Sequence, residues 1–155
     1  MTKTNNLETP IDYQQLVEAL GDAIVVADAS GLITLWNAAA ERLFGFSQAE
    51  AVGNSLDLIV PERLRDRHWA GFRKTMASGE TRYAHDLLRV PAVHKDGRTL
   101  SIAFTVGLLY GLQREVTGIA AVIRDVTQSF TEKRDLLKRL ADCEGKRAIP
   151  AQDRI

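Results

Sequence analysis

Three β-prone segments follow one another in the second half of the chain, Thr81 to Val90, Thr99 to Tyr110 and Val116 to Asp125, with only short breaks between them. Lys95-Asp96-Gly97-Arg98 marks the first break and Gly111-Leu112-Gln113-Arg114 the second. Strands joined this closely run antiparallel, because a parallel neighbour needs a crossover of a dozen or more residues. In the middle segment Ile102, Phe104, Val106 and Leu108 alternate with Ser101, Ala103, Thr105 and Gly107. That is the pattern of a strand with one packed face and one wet or lined face. The rest of the chain has to cover the packed face.

The first half supplies a hairpin and the cover. Ala23 to Ala27 and Leu32 to Trp36 are short apolar runs flanking Asp28-Ala29-Ser30-Gly31, the composition of a hairpin turn. Asn37 caps a short helix, Ala38 to Phe44, closed by Gly45, and Ser47 with Glu50 has capping-box spacing for a helical turn ending at Gly53. A longer helix follows Pro61 and stops at Gly79. Leu64, His68, Gly71, Phe72 and Thr75 recur on it at three- and four-residue spacing, so they share one face. Ahead of the hairpin a first helix begins near Thr9-Pro10, with Leu16, Val17 and Leu20 on one side and Gly21 as its stop. Behind the last strand, Val126 to Cys143 reads as a helix whose loose stripe of Val126, Phe130, Leu137 and Leu140 is interrupted by Lys133. Trp36, Phe44 and Phe46 are the expected aromatic anchors of the helical side. The order predicts an α+β fold, a five-stranded antiparallel sheet with helices on one face.

At 155 residues, 45 % of them hydrophobic and 26 % charged, the chain has the size and composition of one folded domain. Twenty basic residues balance twenty acidic ones, so no overall charge draws it to nucleic acid or to an anionic membrane. The basic cluster Arg63, Arg65, Arg67, Arg73 and Lys74 is broken by Glu62 and Asp66 and reads as a solvated helix face. Cys143 is the single cysteine, which excludes an internal disulfide and a Cys-rich metal knuckle. Ile102 to Leu112 is too short to span a bilayer, and the N-terminus lacks the apolar core of a signal peptide. The expectation is a soluble, cytoplasmic protein. Phosphate-loop, nucleophile-elbow and zinc-protease motifs are missing, the three histidines lack metal-ligand spacing, and no enzyme is expected.

The run Ala27-Asp28-Ala29-Ser30-Gly31-Leu32-Ile33, then Trp36-Asn37, then Ala40-Glu41-Arg42-Leu43-Phe44-Gly45-Phe46, with Glu50 and Gly53 behind it, resembles the first conserved box of PAS domains. Pro61-Glu62, Lys95-Asp96-Gly97 and Arg124-Asp125-Val126-Thr127 resemble later signposts of the same family. On that resemblance the chain divides into a tail at 1–12, a PAS domain at 13–127, a signalling helix at 128–143 and a disordered tail at 144–155. The resemblance implies a sensory module that binds a small ligand in its core pocket and reports through the C-terminal helix. It also implies a homodimer, and an effector domain or partner protein such as a histidine kinase or transcriptional regulator.

Flavin photoreceptors of the LOV type share the PAS fold but need a cysteine before the long helix, and Gly53 to Ile59 has none. The stretch Pro61 to His68 with Met76-Ala77-Ser78-Gly79-Glu80 resembles the matching helix of FixL-type, oxygen-sensing haem PAS domains. That resemblance implies haem b, with His68 at the position of the iron ligand and Lys74 and Arg82 at positions that hold the propionates. The family's oxygen-bonding arginine falls on Leu88 when aligned without gaps, and on Arg89 only with one inserted residue. Such an insertion needs a bulge, since a one-residue shift turns a strand side chain to the other face. His85, read as a strand residue of the same parity as Arg89, is either a second axial ligand or a half-buried strand residue. His94 abuts a turn and reads as solvated. The alternative is a haem-free PAS module for dimerisation or protein–protein interaction, in which His68 is a core histidine bonded to a carbonyl or water.

Overall fold

The computed structural model describes residues 10–147. One carboxylate organises the first reversal. Asp28 Oδ1 accepts from the Ser30 amide (2.9 Å), the Leu32 amide (3.1 Å) and the Ser30 hydroxyl (2.6 Å), while Gly31 takes a left-handed φ of +88°. The chain therefore turns back between β1 (Ala23–Asp28) and β2 (Ile33–Trp36). Asn37 and Ser47 then cap α2 (Ala38–Phe44) and α3 (Gln48–Ala51), the second with a complete capping box. Gly45 ends α2 at φ +82°. Two 3-10 turns, Leu56–Leu58 and Glu62–Leu64, lead into α4 (Arg65–Ser78), which Gly79 ends at φ +66°.

Three strands follow: β3 (Leu88–Val93), β4 (Thr99–Tyr110) and β5 (Val116–Asp125). The sheet order is β2-β1-β5-β4-β3, antiparallel throughout. The two expected turns hold, at Gly97 (φ +89°) and at Gly111 to Glu115, where Arg114 takes the left-handed conformation. α5 (Thr127–Arg147) leaves the sheet directly after β5 and runs four residues past Cys143. The rest of the expected C-terminal tail, 148–155, and the N-terminal segment 1–9 lie outside the described residues.

Two expectations change. The first helix, α1 (Tyr13–Ala19), is capped by Asp12, whose carboxylate accepts from Gln15 N at 3.0 Å; Thr9, the expected cap, lies outside the described residues. The segment expected as a strand from Thr81 to Val90 begins instead as a 3-10 turn, Arg82–Ala84. The Thr81 hydroxyl accepts from the Tyr83 amide at 3.2 Å and so diverts it from any ladder. Pairing with β4 starts only at Leu88 and extends to Val93. β3 is an edge strand, which is why it tolerates Pro91.

The register sorts the side chains. Val25 pairs with Trp36 and Ala121; Phe104 pairs with Ile123 and Leu88; Ile102 pairs with Val90; Leu100 pairs with Ala92. All of these share the inner face, on which α2 and α3 lie. Trp36, Phe44, Ala40 and Ala51 are buried there with Ile102, Leu100, Ala92 and Ile123. Phe104 belongs to the same face but is only partly buried. Trp36 stands 5.2 Å from Phe44 between ring centroids and donates from Nε1 to the Phe46 carbonyl at 2.9 Å. All three expected aromatics are therefore in place, Trp36 and Phe44 within the core cluster and Phe46 packed against it.

Candidate functional site

α4 covers the remainder of the inner face, and covers it loosely. Phe72 is its single buried residue, and the helix packs against β5. On the inner face Leu88, Val90, Phe104, Leu108, Ile119 and Ala121 are half-buried, and Val90, Phe104 and Ala121 pack against the core cluster. Trp69 fixes the helix at one end. Its ring lies where a Cβ on Gly31 would sit, and its Nε1 donates to Asp57 Oδ1 at 2.8 Å. Arg65 donates to the backbone carbonyls of Val60 (3.3 Å) and Asp57 (3.1 Å), so the start of α4 is tied to the preceding turns.

His68 is the fourth residue of α4. Its ring packs edge-on to Trp69 at 4.8 Å and tilted to Phe72 at 6.1 Å. Among the described residues its Nδ1 is the one buried side-chain nitrogen or oxygen without a hydrogen-bond partner. An unmet polar atom of this kind costs about 1–3 kcal/mol. Burial pushes the imidazole pKa below its usual value, and the nearby Asp57 carboxylate opposes this in part. The ring is therefore neutral, with a lone pair to give, which is the form that binds a metal. Among the described residues no protein carbonyl bonds this nitrogen.

The sign of the pKa shift gives a measurable result. A histidine whose folded pKa is depressed takes up protons more readily in the unfolded chain. Its contribution to stability is whole above the unfolded value near 6.5 and is lost as pH falls towards the folded value. Urea unfolding between pH 7.5 and 5 is expected to show stability falling with pH, and His68→Gln to flatten that slope. An equal slope in both proteins would place the titration elsewhere.

The other candidate residues are dispersed. Lys74 is exposed on α4. Arg82 is exposed too and lines an open cleft of about 540 Å³ with Gly79, Leu108 and Tyr110; its guanidinium bonds the Tyr83 hydroxyl at 2.7 Å. Arg89 pairs with Ala103 and Leu88 with Phe104, in a β3–β4 ladder free of register shifts. The bulge that would bring Arg89 inward is therefore absent from that ladder; Arg89 lies exposed on the outer face and Leu88 on the inner one. His85 is not a strand residue. It ends the 3-10 turn, exposed, because Thr81 starts that turn. His94 is not solvated either: its side chain is 14 % exposed and lies against Gly45, with Nδ1 accepting from the Asp96 amide at 3.1 Å. Sequence reasoning also missed the Trp69–Asp57 bond, since the two residues are twelve apart across an irregular stretch.

Among the described residues no group of three or more His, Cys, Asp or Glu side chains gathers to hold a metal by itself, and no helix is long and apolar enough to cross a membrane. Fitness for haem rests on His68, whose neutral ring beside a half-open apolar face suits such a group. Lys74 and Arg82 are exposed cations that suit its acid groups, and Arg89 has no access to it.

A five-stranded sheet in the order 2-1-5-4-3, with short helices and one longer helix on its inner face and an exit helix behind β5, defines the α+β fold. The family model described as the PAS fold matches residues 11–126, and the chain belongs to the PAS family. It is 31 % identical over 139 residues to an uncharacterized protein of Azorhizobium caulinodans, covering 89 % of this chain and 18 % of that protein. It is 29 % identical over 116 residues to the sensor protein FixL of Bradyrhizobium diazoefficiens, covering 74 % of this chain and 22 % of FixL. With the oxygen sensor protein DosP of Escherichia coli it shares 24 % identity over 139 residues, 86 % of this chain and 16 % of DosP. The chain thus spans less than a quarter of each of these relatives. Among solved structures, the PAS domain of a Colwellia psychrerythraea protein superposes with a TM-score of 0.66 at 23 % identity, over 75 % of this chain and 95 % of that one. An RNA-binding Light-Oxygen-Voltage receptor superposes at 0.67 and 23 % identity, over 84 % of this chain and 36 % of that one.

Proposed function

We propose that the chain is a haem-based sensory module, with haem b between α4 and the inner sheet face and His68 as its iron ligand. The observation that carries this reading is the neutral, half-buried imidazole of His68 beside a half-covered apolar face. Haem, when bound, supplies an iron site open to a small gas. His68 anchors it, and Lys74 and Arg82 hold its propionates by charge-assisted bonds. The relatives named as a sensor and an oxygen sensor support the same reading. The likeness to light-sensing structures supports the fold alone, and 53–59 has no cysteine for flavin photochemistry.

Output passes through the end of β5. Asp125 Oδ1 accepts from the Thr127 amide (2.9 Å) and hydroxyl (2.6 Å); the Thr127 oxygen accepts from Ser101 N of β4 at 2.9 Å. A ligand that binds one arrangement of β4 and β5 better than another therefore shifts α5 with them. Arg124 grips Asp22 at 3.0 and 2.8 Å, bringing the segment before β1 into the same junction. An effector such as a histidine kinase or a transcriptional regulator, on this chain's own protein or on a partner, reads α5.

A second copy completes the module. Leu16 and Leu20 at the end of α1, and Phe130, Leu137 and Leu140 on α5, are exposed, the last three by 55–60 %. Apolar faces of this kind on two helices fit a two-fold dimer. Sedimentation at micromolar concentration is expected to give twice the monomer mass, and removal of 126–155 to weaken the dimer. A monomer throughout would refute this assembly.

Haem titration tests the ligand. The parent is expected to develop a Soret band, and His68→Ala to lose it or retain haem far more weakly. Lys74→Ala and Arg82→Ala are expected to weaken binding by roughly 1–3 kcal/mol each, as for a charge-assisted bond. Arg89→Ala is expected to leave haem affinity unchanged. A protein that stays colourless with haem supplied, or a His68→Ala variant that binds equally well, refutes the reading.

A further inference from the structure

The lysine that interrupts the stripe of α5 has a complement on the same stripe. From Glu132 to Lys146 every residue of α5 is exposed, so this part of the helix stands clear of its own domain. Positions 130, 133, 137, 140 and 144 recur there at alternating spacings of three and four, which puts them in one seam. They read Phe, Lys, Leu, Leu and Glu, and Phe130, Leu137 and Leu140 are exposed by 55–60 %. Three and four residues to either side of Lys133 stand Ser129, Phe130, Leu136 and Leu137; in the turn before Glu144 stand Leu140 and Ala141. None of these offers a charge for a pair within the helix. Among the described residues the ion pair on α5 joins Arg134 to Asp135 at 3.7 Å, and Lys133 and Glu144 take part in none.

From this seam we infer that α5 pairs antiparallel with α5 of a second copy, an inference that rests on the two-fold dimer proposed above. A two-fold axis crossing the helices midway between Leu137 and Leu140 sets Leu137 of each copy against Leu140 of the other. The same axis sets Lys133 against Glu144 of the other copy, twice by symmetry. The spacing agrees, because Lys133 stands four residues before Leu137 and Glu144 four after Leu140. A parallel pair in register keeps the leucines together but stacks Lys133 on Lys133 and Glu144 on Glu144. Like charges in the seam disfavour that order, and opposite charges favour the antiparallel one. The arrangement bears on output. The start of one α5, which Thr127 ties to β4, lies alongside the far end of the other, so a shift in one sheet reaches the exit helix of the second copy.

Sedimentation of the full 155-residue chain, giving dissociation constants for four proteins, tests the order. Lys133→Glu and Glu144→Lys are each expected to weaken the dimer about tenfold, since each turns two attractions into two repulsions. The double variant Lys133→Glu/Glu144→Lys is expected to return to within about threefold of the parent. Four equal constants, or a double variant as weak as the single ones, overturn the inference. Disulfide mapping gives a second readout. In a Cys143→Ser background, Lys133→Cys/Glu144→Cys oxidised with diamide is expected to form an interchain 133–144 bond. Glu144→Cys alone is expected to stay free of cross-links, its two sulfurs lying about 16 Å apart along the axis. A 144–144 bond overturns the antiparallel order and leaves the dimer standing. A chain that is monomeric at every concentration defeats the dimer and the helix order together.

Discussion

Trp36→Ala is expected to destabilise the protein by about 4–5 kcal/mol, the upper end of the range for a large aromatic removed from a core. Trp36 is 1 % exposed, stacks against Phe44, and joins the hairpin to α2 and α3 in one cluster. Its loss opens a cavity that the sheet backbone cannot close, and it also strips the Phe46 carbonyl of its Nε1 donor. Domains of this size are stable by only about 5–15 kcal/mol, so the variant approaches unfolding at room temperature. Trp36→Phe keeps much of the packing and loses the hydrogen bond; its cost is expected to be less than half as large. Urea unfolding of the three proteins measures both effects. A cost under about 2 kcal/mol for Trp36→Ala would mean that the cluster repacks, and that the hairpin is not held through this ring.

That anchor was legible because β2 ends at a capping asparagine, which places Trp36 next to the start of α2. Punctuation of this sort carried most of the fold. Asp28 and Gly31, the cap of Asn37 on Ala40, Gly45, Ser47 and Glu50, and Gly79 each act through their own backbone or a neighbour's within four residues, so sequence spacing displays them; the reach of Asn37 to Val17, Asp22 and Ile24 it does not display. The alternation in β4 likewise predicts the inner and outer faces that the register shows. Thr81 was illegible for the converse reason. A hydroxyl can join a strand or seize the amide two residues on, and the local sequence does not say which.

The candidate site divides the same way. Periodicity placed His68 on the face of α4 that meets the sheet, and the structure puts it beside Phe72 there. Whether its nitrogen had a partner depended on residues brought together by tertiary packing, which spacing along one helix does not contain. Arg89 is sharper still. Its face turned on whether β3 carries a bulge, and the unbroken ladder from Leu88 to Val93 answers that only once the strands are paired.

Asn37→Ala is expected to cost roughly 3–5 kcal/mol, more than loss of a helix cap alone, which is about 1–2 kcal/mol. The side chain is fully buried and uses every bond an amide can make. Oδ1 accepts from Ile24 N at 2.9 Å and Ala40 N at 3.0 Å; Nδ2 donates to the carbonyls of Val17 at 2.9 Å and Asp22 at 3.2 Å. One residue thus joins α1, the segment that grips Arg124, β1 and α2. Asn37→Asp separates the two halves of that hub. The carboxylate still accepts from Ile24 and Ala40 but faces the Val17 and Asp22 carbonyls without a donor, so α1 is expected to detach while the sheet stays folded. Faster hydrogen exchange at the Leu16 amide, which bonds Asp12 in the parent, with β4 and β5 amides unchanged, reports that outcome. Burial raises the pKa of a carboxyl introduced here, and its protonated form regains one donor. Stability of Asn37→Asp is therefore expected to be greatest at acid pH and to fall as pH rises through the folded-state pKa. Parent-like exchange at Leu16 together with a flat pH profile would show that α1 is held by its other contacts, chiefly Glu18 on the Ala38 amide, and that the hub is dispensable to the N-terminal helix.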